Sequence, residues 1–171
     1  MNFTMKDEGL VEVSRMISEL GSKAAFVASH ALFEGAGVMA NEINSQAKMI
    51  QSEKFHYAVF PSVTNRLPST EEKDAVVNAG AGIARFQKDG GEVQTSVGYS
   101  NAGYTTIAGR VKPIPQIANA INSGTSFMQK QPFVRKGVSK GKKAAVAAIV
   151  AEAEKLFNAI ISQNEAGGIS A

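Results

Sequence analysis

The chain has no cysteine, which excludes disulfides and thiolate metal ligands and fits a reducing cytoplasm. Histidine is nearly as scarce. His30 and His56 are the only two, and no acidic cluster accompanies either, a poor basis for a zinc site. No apolar run approaches the roughly 20 residues that a bilayer-crossing helix needs. The stretch Met1 to Glu8 lacks the charged region and apolar core of a secretory signal. No internal repeat and no long low-complexity segment is evident. The expectation is a soluble protein made in the cytoplasm, with no membrane contact.

Signatures of chemistry are missing too. Gly80 and Gly82 suggest a phosphate loop, but no Gly-Lys-Ser/Thr ending follows. Arg85 also stands where a dinucleotide fingerprint needs its third glycine. A helix-to-strand turn explains both glycines better. Ser-His-Asp combinations can be drawn only across distant positions, and no Gly-x-Ser-x-Gly elbow supports one. Glu71, Glu72 and Asp74 read most simply as a capped, solvated first turn. No catalytic, metal or cofactor-binding residue is expected.

What is present is the composition of a folded chain, 44% hydrophobic over 171 residues, enough for one domain. Leu10, Val13, Ile17, Leu20, Ala24, Val27 and Ala31 recur at helical spacing and predict helix from about 9 to 46, which Gly21 either splits or weakens. Small residues around Gly35 and Gly37 suit close backbone approach, either within the monomer or to a neighbouring chain. Residues 48–68 have no clean period. Phe55, Tyr57, Val59 and Val63 alternate enough for a short strand, and the segment reads as an extended loop.

Ser69 or Thr70 starts a short helix that ends near Gly80. Residues 82–99 form the best hairpin, turning at Asp89-Gly90-Gly91. Thr105 to Val111 adds a third strand, and Gln116 to Ser123 a helix closed by Gly124. From Phe133 to about Gln163, Val138, the Lys142 stem, Ala145, Ile149, Ala153, Leu156 and Ile160 keep near-heptad spacing. Roughly thirty helical residues span about 45 Å. Gly137 and Gly141 are expected to loosen the first turns, and 165–171 to fray. The fold class is α+β: long N- and C-terminal helices packed on a small antiparallel sheet of about three to four strands, in a single domain of residues 1–171.

The densest stretch is 119–138. Gly124 ends one helix, Thr125 and Ser126 make a turn, and Pro132 stands where a helix begins, because a missing N–H is harmless there. Phe133 then faces a core or a neighbouring chain. Net charge is only +3, yet Lys130, Arg135, Lys136, Lys140, Lys142 and Lys143 fall within fourteen positions. A solvated helix start or an inter-subunit salt-bridge surface explains such a run better than specific nucleic-acid binding. Phe133 is the one aromatic within it, whereas stacking platforms interleave several.

The order Ser-Gly-Thr-Ser at 123–126, then Pro-Phe-Val-Arg at 132–135, then a basic helix, resembles a head–tail connection family of long-tailed bacteriophages, whose members are called neck, tail-component or tail-completion proteins. Gly82 to Phe86, Lys88 to Val93 and Ser96 to Tyr99 are similar to that family's central hairpin, and Ala31 to Ile43 to its N-terminal helix. The resemblance implies a virion structural protein of the head–tail interface, made in the host cytoplasm, joining tail to capsid and lining the DNA channel. It implies a homo-oligomeric ring, hexameric or dodecameric. Partners would be other neck, connector and tail-tube proteins, and genomic DNA passing without sequence-specific contacts. Interface or fold-defining candidates are Gly124, Thr125, Ser126, Pro132, Phe133, Arg135, Lys140 and Lys142, with 48–68 and 123–132 as contact segments. The alternative is a small nucleic-acid-binding module using the basic helix start near 130–143. An enzyme of unknown type is a weaker third.

Overall fold

The N-terminal apolar stripe folds as two helices, because Gly21 breaks it. Helix α1 (Glu8–Ser18) stops where the Ser18 hydroxyl donates to the Arg15 carbonyl at 2.7 Å. Gly21, at φ +54°, opens a single 3₁₀ turn (Gly21–Lys23) before α2 (Ala24–Lys48). Only glycine adopts that backbone without strain. The computed structural model describes residues 8–18, 20–54, 66–89, 92–101, 103–107 and 110–167. The strand expected from Phe55, Tyr57, Val59 and Val63 lies outside them, as do Gly90 and Gly91 of the hairpin turn.

After α2 come α3 (Thr70–Ala79), β1 (Gly82–Ile83), β2 (Gln87–Asp89), β3 (Glu92–Gln94), β4 (Val97–Gly98), β5 (Tyr104–Ile107), β6 (Arg110–Pro113), α4 (Ile114–Ser123) and α5 (Phe133–Gly167). The class is α+β, as expected. Its β part is divided, however. Among the described residues three two-stranded sheets pair β1 with β4, β2 with β3 and β5 with β6. The long hairpin is interrupted over Ala84 to Phe86, where the Ala84 carbonyl accepts from the Thr95 hydroxyl at 2.9 Å and its N–H donates to the Ser96 carbonyl. Residues 105–111 are a hairpin and not one strand, with Thr105 opposite Lys112 and Ile107 opposite Arg110. The last helix continues through 165–167, past the expected fraying point.

The chain divides into two units. The first comprises 1–38, 83–96 and 142–171. Its core is helical: Val13 of α1, Val27 and Ala31 of α2, and Ile149 and Ala153 of α5 are buried together, with Leu10, Ile17, Leu156 and Ile160 against them. In this cluster helix packs on helix. The Lys142 side chain, expected to continue that stripe, is exposed. Gly35 of α2 faces α5 so closely that an added Cβ would collide with the Ile149 side chain, 2.7 Å from its Cδ1. Gly37 has nothing within 4 Å of that position.

The second unit comprises 39–82 and 97–141. Here the end of α2 runs antiparallel to the start of α5. A Cβ on Gly137 would lie 2.8 Å from the Ile43 Cα, and one on Gly141 3.2 Å from the Glu42 Cβ. These glycines therefore let two helix backbones touch; they do not loosen α5. Ile43, Ala47, Val76, Ile117, Ile121 and Phe133 are buried in this unit. Asn44 clamps the α3 exit, accepting from the Ala81 N–H at 2.6 Å and donating to its carbonyl at 3.1 Å. Gly80, at φ +65°, closes α3, which is the helix-to-strand role read for it.

Candidate interaction surface

Helix α3 begins at a capping box. The Ser69 hydroxyl accepts from the Glu72 N–H, and the Glu72 carboxylate accepts from the Ser69 N–H at 2.9 Å. Glu72 was expected in a solvated turn. It is instead 4% exposed and grips Arg66, whose guanidinium donates to both carboxylate oxygens at 2.9 and 3.2 Å. Burial pushes the Glu72 carboxyl upward, but the Arg66 bond, the Ser69 N–H and the nearby charges of Arg66 and Lys112 outweigh it and leave it below the usual 4.5. Glu71 and Asp74 are exposed, as read.

That buried pair fixes Arg66, and Arg66 fixes the turn between α4 and α5. The Arg66 N–H donates to the Phe127 carbonyl at 2.8 Å, and the Gln129 N–H returns to the Arg66 carbonyl at 2.7 Å. Further along, the Gln131 side-chain amide pairs with the Gln51 backbone in both directions, each bond 2.8 Å. The described ends of 48–68 and the turn 123–132, two separately expected contact segments, are thus stitched together. A side chain that pairs with backbone 80 positions away leaves no local signal in sequence.

Within the turn, Gly124 takes φ +77° and lies against Lys130, where a Cβ would sit 3.1 Å from the lysine Cβ. The Thr125 hydroxyl accepts from the N–H groups of Phe127 and Met128 at 3.2 and 3.0 Å. Gly124 and Thr125 therefore define shape. Ser126 is exposed, and so is the Phe127 ring, at 59%. A backbone held at this many points presents that ring at little conformational expense. Phe127 and Met128 are adjacent large apolar residues in an otherwise polar turn, and nothing in the sequence distinguishes the exposed Phe127 from the buried Met128.

Pro132 offers its carbonyl to the Lys136 N–H at 3.0 Å, the first turn of α5. Buried Asn122, one residue before the end of α4, accepts from the Val134 N–H at 3.1 Å and caps α5 from outside. Phe133 is 3% exposed, a core anchor and not a contact residue, with the Tyr99 ring edge-on at 6.3 Å. The Tyr99 hydroxyl is buried and meets no hydrogen-bond partner among the described residues. Burial pushes this phenol up to about 12. Arg135, Lys136 and Lys140 are exposed on α5, as are Lys142 and Lys143 beyond them.

In the first unit α2 turns Phe26, 54% exposed, and Phe33, 51% exposed, outward. His30 between them is exposed and lies 4.4 Å from the Phe26 ring. His56 lies outside the described residues. Among the described residues no group of three or more His, Cys, Asp or Glu could hold a metal, and no helix is long and apolar enough to cross a membrane. Compared with protein families, curated proteins and solved structures, the chain matches none.

Proposed function

We propose that the chain is an assembly subunit, and that the assembly is the head–tail interface of a long-tailed bacteriophage virion. In this reading it forms a homo-oligomeric neck or tail-completion ring, hexameric or dodecameric, between tail and capsid. The phage assignment rests on the resemblance of 82–99 and 123–135. The observation that carries an assembly role is the rigid display of large apolar rings: Phe127 on a turn held by Arg66 and Thr125, and Phe26 with Phe33 along α2. Aromatic side chains on preorganised backbone are the usual energetic anchors of protein interfaces. A ring needs two different complementary faces on each subunit. Two separate aromatic displays supply candidates for both.

Light scattering coupled to gel filtration, over a range of protein concentration and salt, tests this. The full chain should form a closed high-order oligomer. Phe127→Ser and Phe26→Ser/Phe33→Ser should each dissociate it while leaving the circular dichroism unchanged, because all three rings already face solvent. A chain that stays monomeric at every concentration, or an oligomer untouched by these substitutions, would refute the reading.

A further inference from the structure

Charge is segregated along this chain. All 15 acidic residues lie at or before Glu92, or at or after Glu152, so residues 93–151 contain none. Eight of the 18 lysines and arginines fall in that same stretch. Within the second unit, Lys130, Arg135, Lys136 and Lys140 gather around the first turns of α5. All four are exposed, and none is ion-paired with a described residue.

This arrangement works against the isolated helix in two ways. Lys136 and Lys140 are i,i+4 neighbours, and like charges at that spacing repel. Arg135 and Lys136 also stand at the first turn, near the positive end of the helix dipole, and that turn has no acidic residue to offset them. A dense negative ligand relieves both effects.

The apolar map decides what kind of ligand. No large apolar side chain between Lys130 and Gly141 is exposed. Along these turns of α5 an acidic protein partner would find charge but no anchor to bury, the exposed Phe127 ring standing on the preceding turn, and interface energy concentrates in such anchors. A phosphodiester backbone needs none. Lys136 and Lys140 stand about 6 Å apart along the axis, a spacing comparable to successive phosphates on one strand. Arg135 adds a fork that suits a phosphate bidentately. No exposed aromatic lies between Lys130 and Gly141 to offer a base a stacking surface.

We infer that the first turns of α5, with Lys130 ahead of them, bind the phosphate backbone of nucleic acid without reading its bases. This site is independent of the assembly reading, since neither Phe127 nor the α2 aromatics take part.

Fluorescence anisotropy of the full chain against labelled oligo-dT and a mixed-sequence duplex of equal length, across a salt series, tests it. Both should bind, with a duplex salt slope of about −3 from three to four neutralised phosphates. Arg135→Gln/Lys136→Gln/Lys140→Gln should weaken binding at least tenfold at low salt and flatten the slope. Lys23→Gln/Arg85→Gln/Lys155→Gln removes the same charge from exposed sites of the first unit and should change little. If the first triple variant misfolds, Lys140→Gln alone should lower the slope by about one. Absence of wild-type binding at low salt, equal losses in the two triple variants, or an unchanged slope in Lys140→Gln would overturn the inference. Labelled poly-L-glutamate binding as tightly as DNA of equal charge would overturn it in favour of an acidic protein surface. Assembly fails or survives in the aromatic variants, so the two readings fall separately.

Discussion

Replacing Gly137 by alanine places one methyl group where the α2 backbone already stands. The new Cβ would lie 2.8 Å from the Ile43 Cα and 3.0 Å from its N and Cγ1. Two of those atoms are main chain, so relief requires the helices to move apart along a packed seam. Overpacking of this kind costs about 1–3 kcal/mol. Alanine also gains about 1 kcal/mol over glycine from helix propensity, which blurs a single measurement. Gly37→Ala supplies the correction. It lies within α2 with nothing inside 4 Å of its new methyl, so it should show the propensity gain alone. The difference between the two variants then isolates the clash, at about 1–3 kcal/mol, or roughly 2–12 °C in Tm for a chain of this size. Gly141→Ala, meeting the Glu42 Cβ at 3.2 Å and the Met39 sulfur at 3.4 Å, should fall between them. Urea denaturation with parallel thermal melts reads the series. If Gly137→Ala is as stable as Gly37→Ala, the backbone contact between α2 and α5 is not as described.

Four further outcomes follow from the second unit. Arg66→Ala strands the Glu72 carboxylate in a buried site and should lose about 3–5 kcal/mol by denaturant titration; an unchanged midpoint would mean that the pair is solvated. The folded Glu72 carboxyl is held low, so its contribution is full above the ordinary 4.5 and disappears as pH falls through the lower folded value. Glu72→Gln should accordingly narrow its stability gap to wild type below that pH, and a constant gap would contradict the linkage. Phe133→Ala should lose about 3–5 kcal/mol from a fully buried ring, and an unaltered Tm would place that ring at the surface. Tyr99→Phe removes a buried hydroxyl without a partner and should gain about 1 kcal/mol. The buried phenol resists ionisation, so wild-type stability should fall relative to Tyr99→Phe as pH rises from the ordinary 10.0 to about 12, where ultraviolet absorbance should report the late ionisation of Tyr99.

Much of the helical skeleton was legible because its signals are local. Leu10 to Ala31 repeat at helical spacing, Ser69 stands three residues before Glu72, and Gly21, Gly80 and Gly124 all take positive φ at element ends. The β part was less legible. Ala84 to Phe86 keep a strand's alternation, yet the ladder breaks there while bonds from Ala84 to Thr95 and Ser96 continue the pairing. A two-residue pattern cannot reveal that interruption. The role of Gly137 was misread because a glycine in a helix looks like weakness from its own sequence. Only the backbone of Ile43, 94 positions earlier, turns it into a packing requirement.

The surface was half legible for a related reason. Clustered cations stand out in a sequence, and Arg135, Lys136 and Lys140 were noticed as a run. What gives the run its meaning is an absence spread over 59 residues: no acid from Val93 to Ala151 is available to neutralise it locally. The apolar anchors went the other way. Phe133 attracted attention beside Pro132 and proved buried, whereas Phe127, in a turn of serine, threonine and glutamine, carries the exposed ring. Which of two phenylalanines six positions apart faces solvent is decided by Arg66 holding the Phe127 carbonyl and by Asn122 capping the helix that carries Phe133 inward. Both contacts come from outside the segment. Exposed rings stand on the turn and on α2, whereas the first turns of α5 expose cations and no large apolar side chain, and that difference is the physical reason to expect two kinds of partner. A surface that buried apolar rings and phosphates together would have to dehydrate charges without pairing them, which the low dielectric of an interface penalises strongly. Rings and cations that bind different partners can be tested one at a time, so the charge variants on α5 should leave the oligomer intact while the aromatic variants leave the salt slope intact.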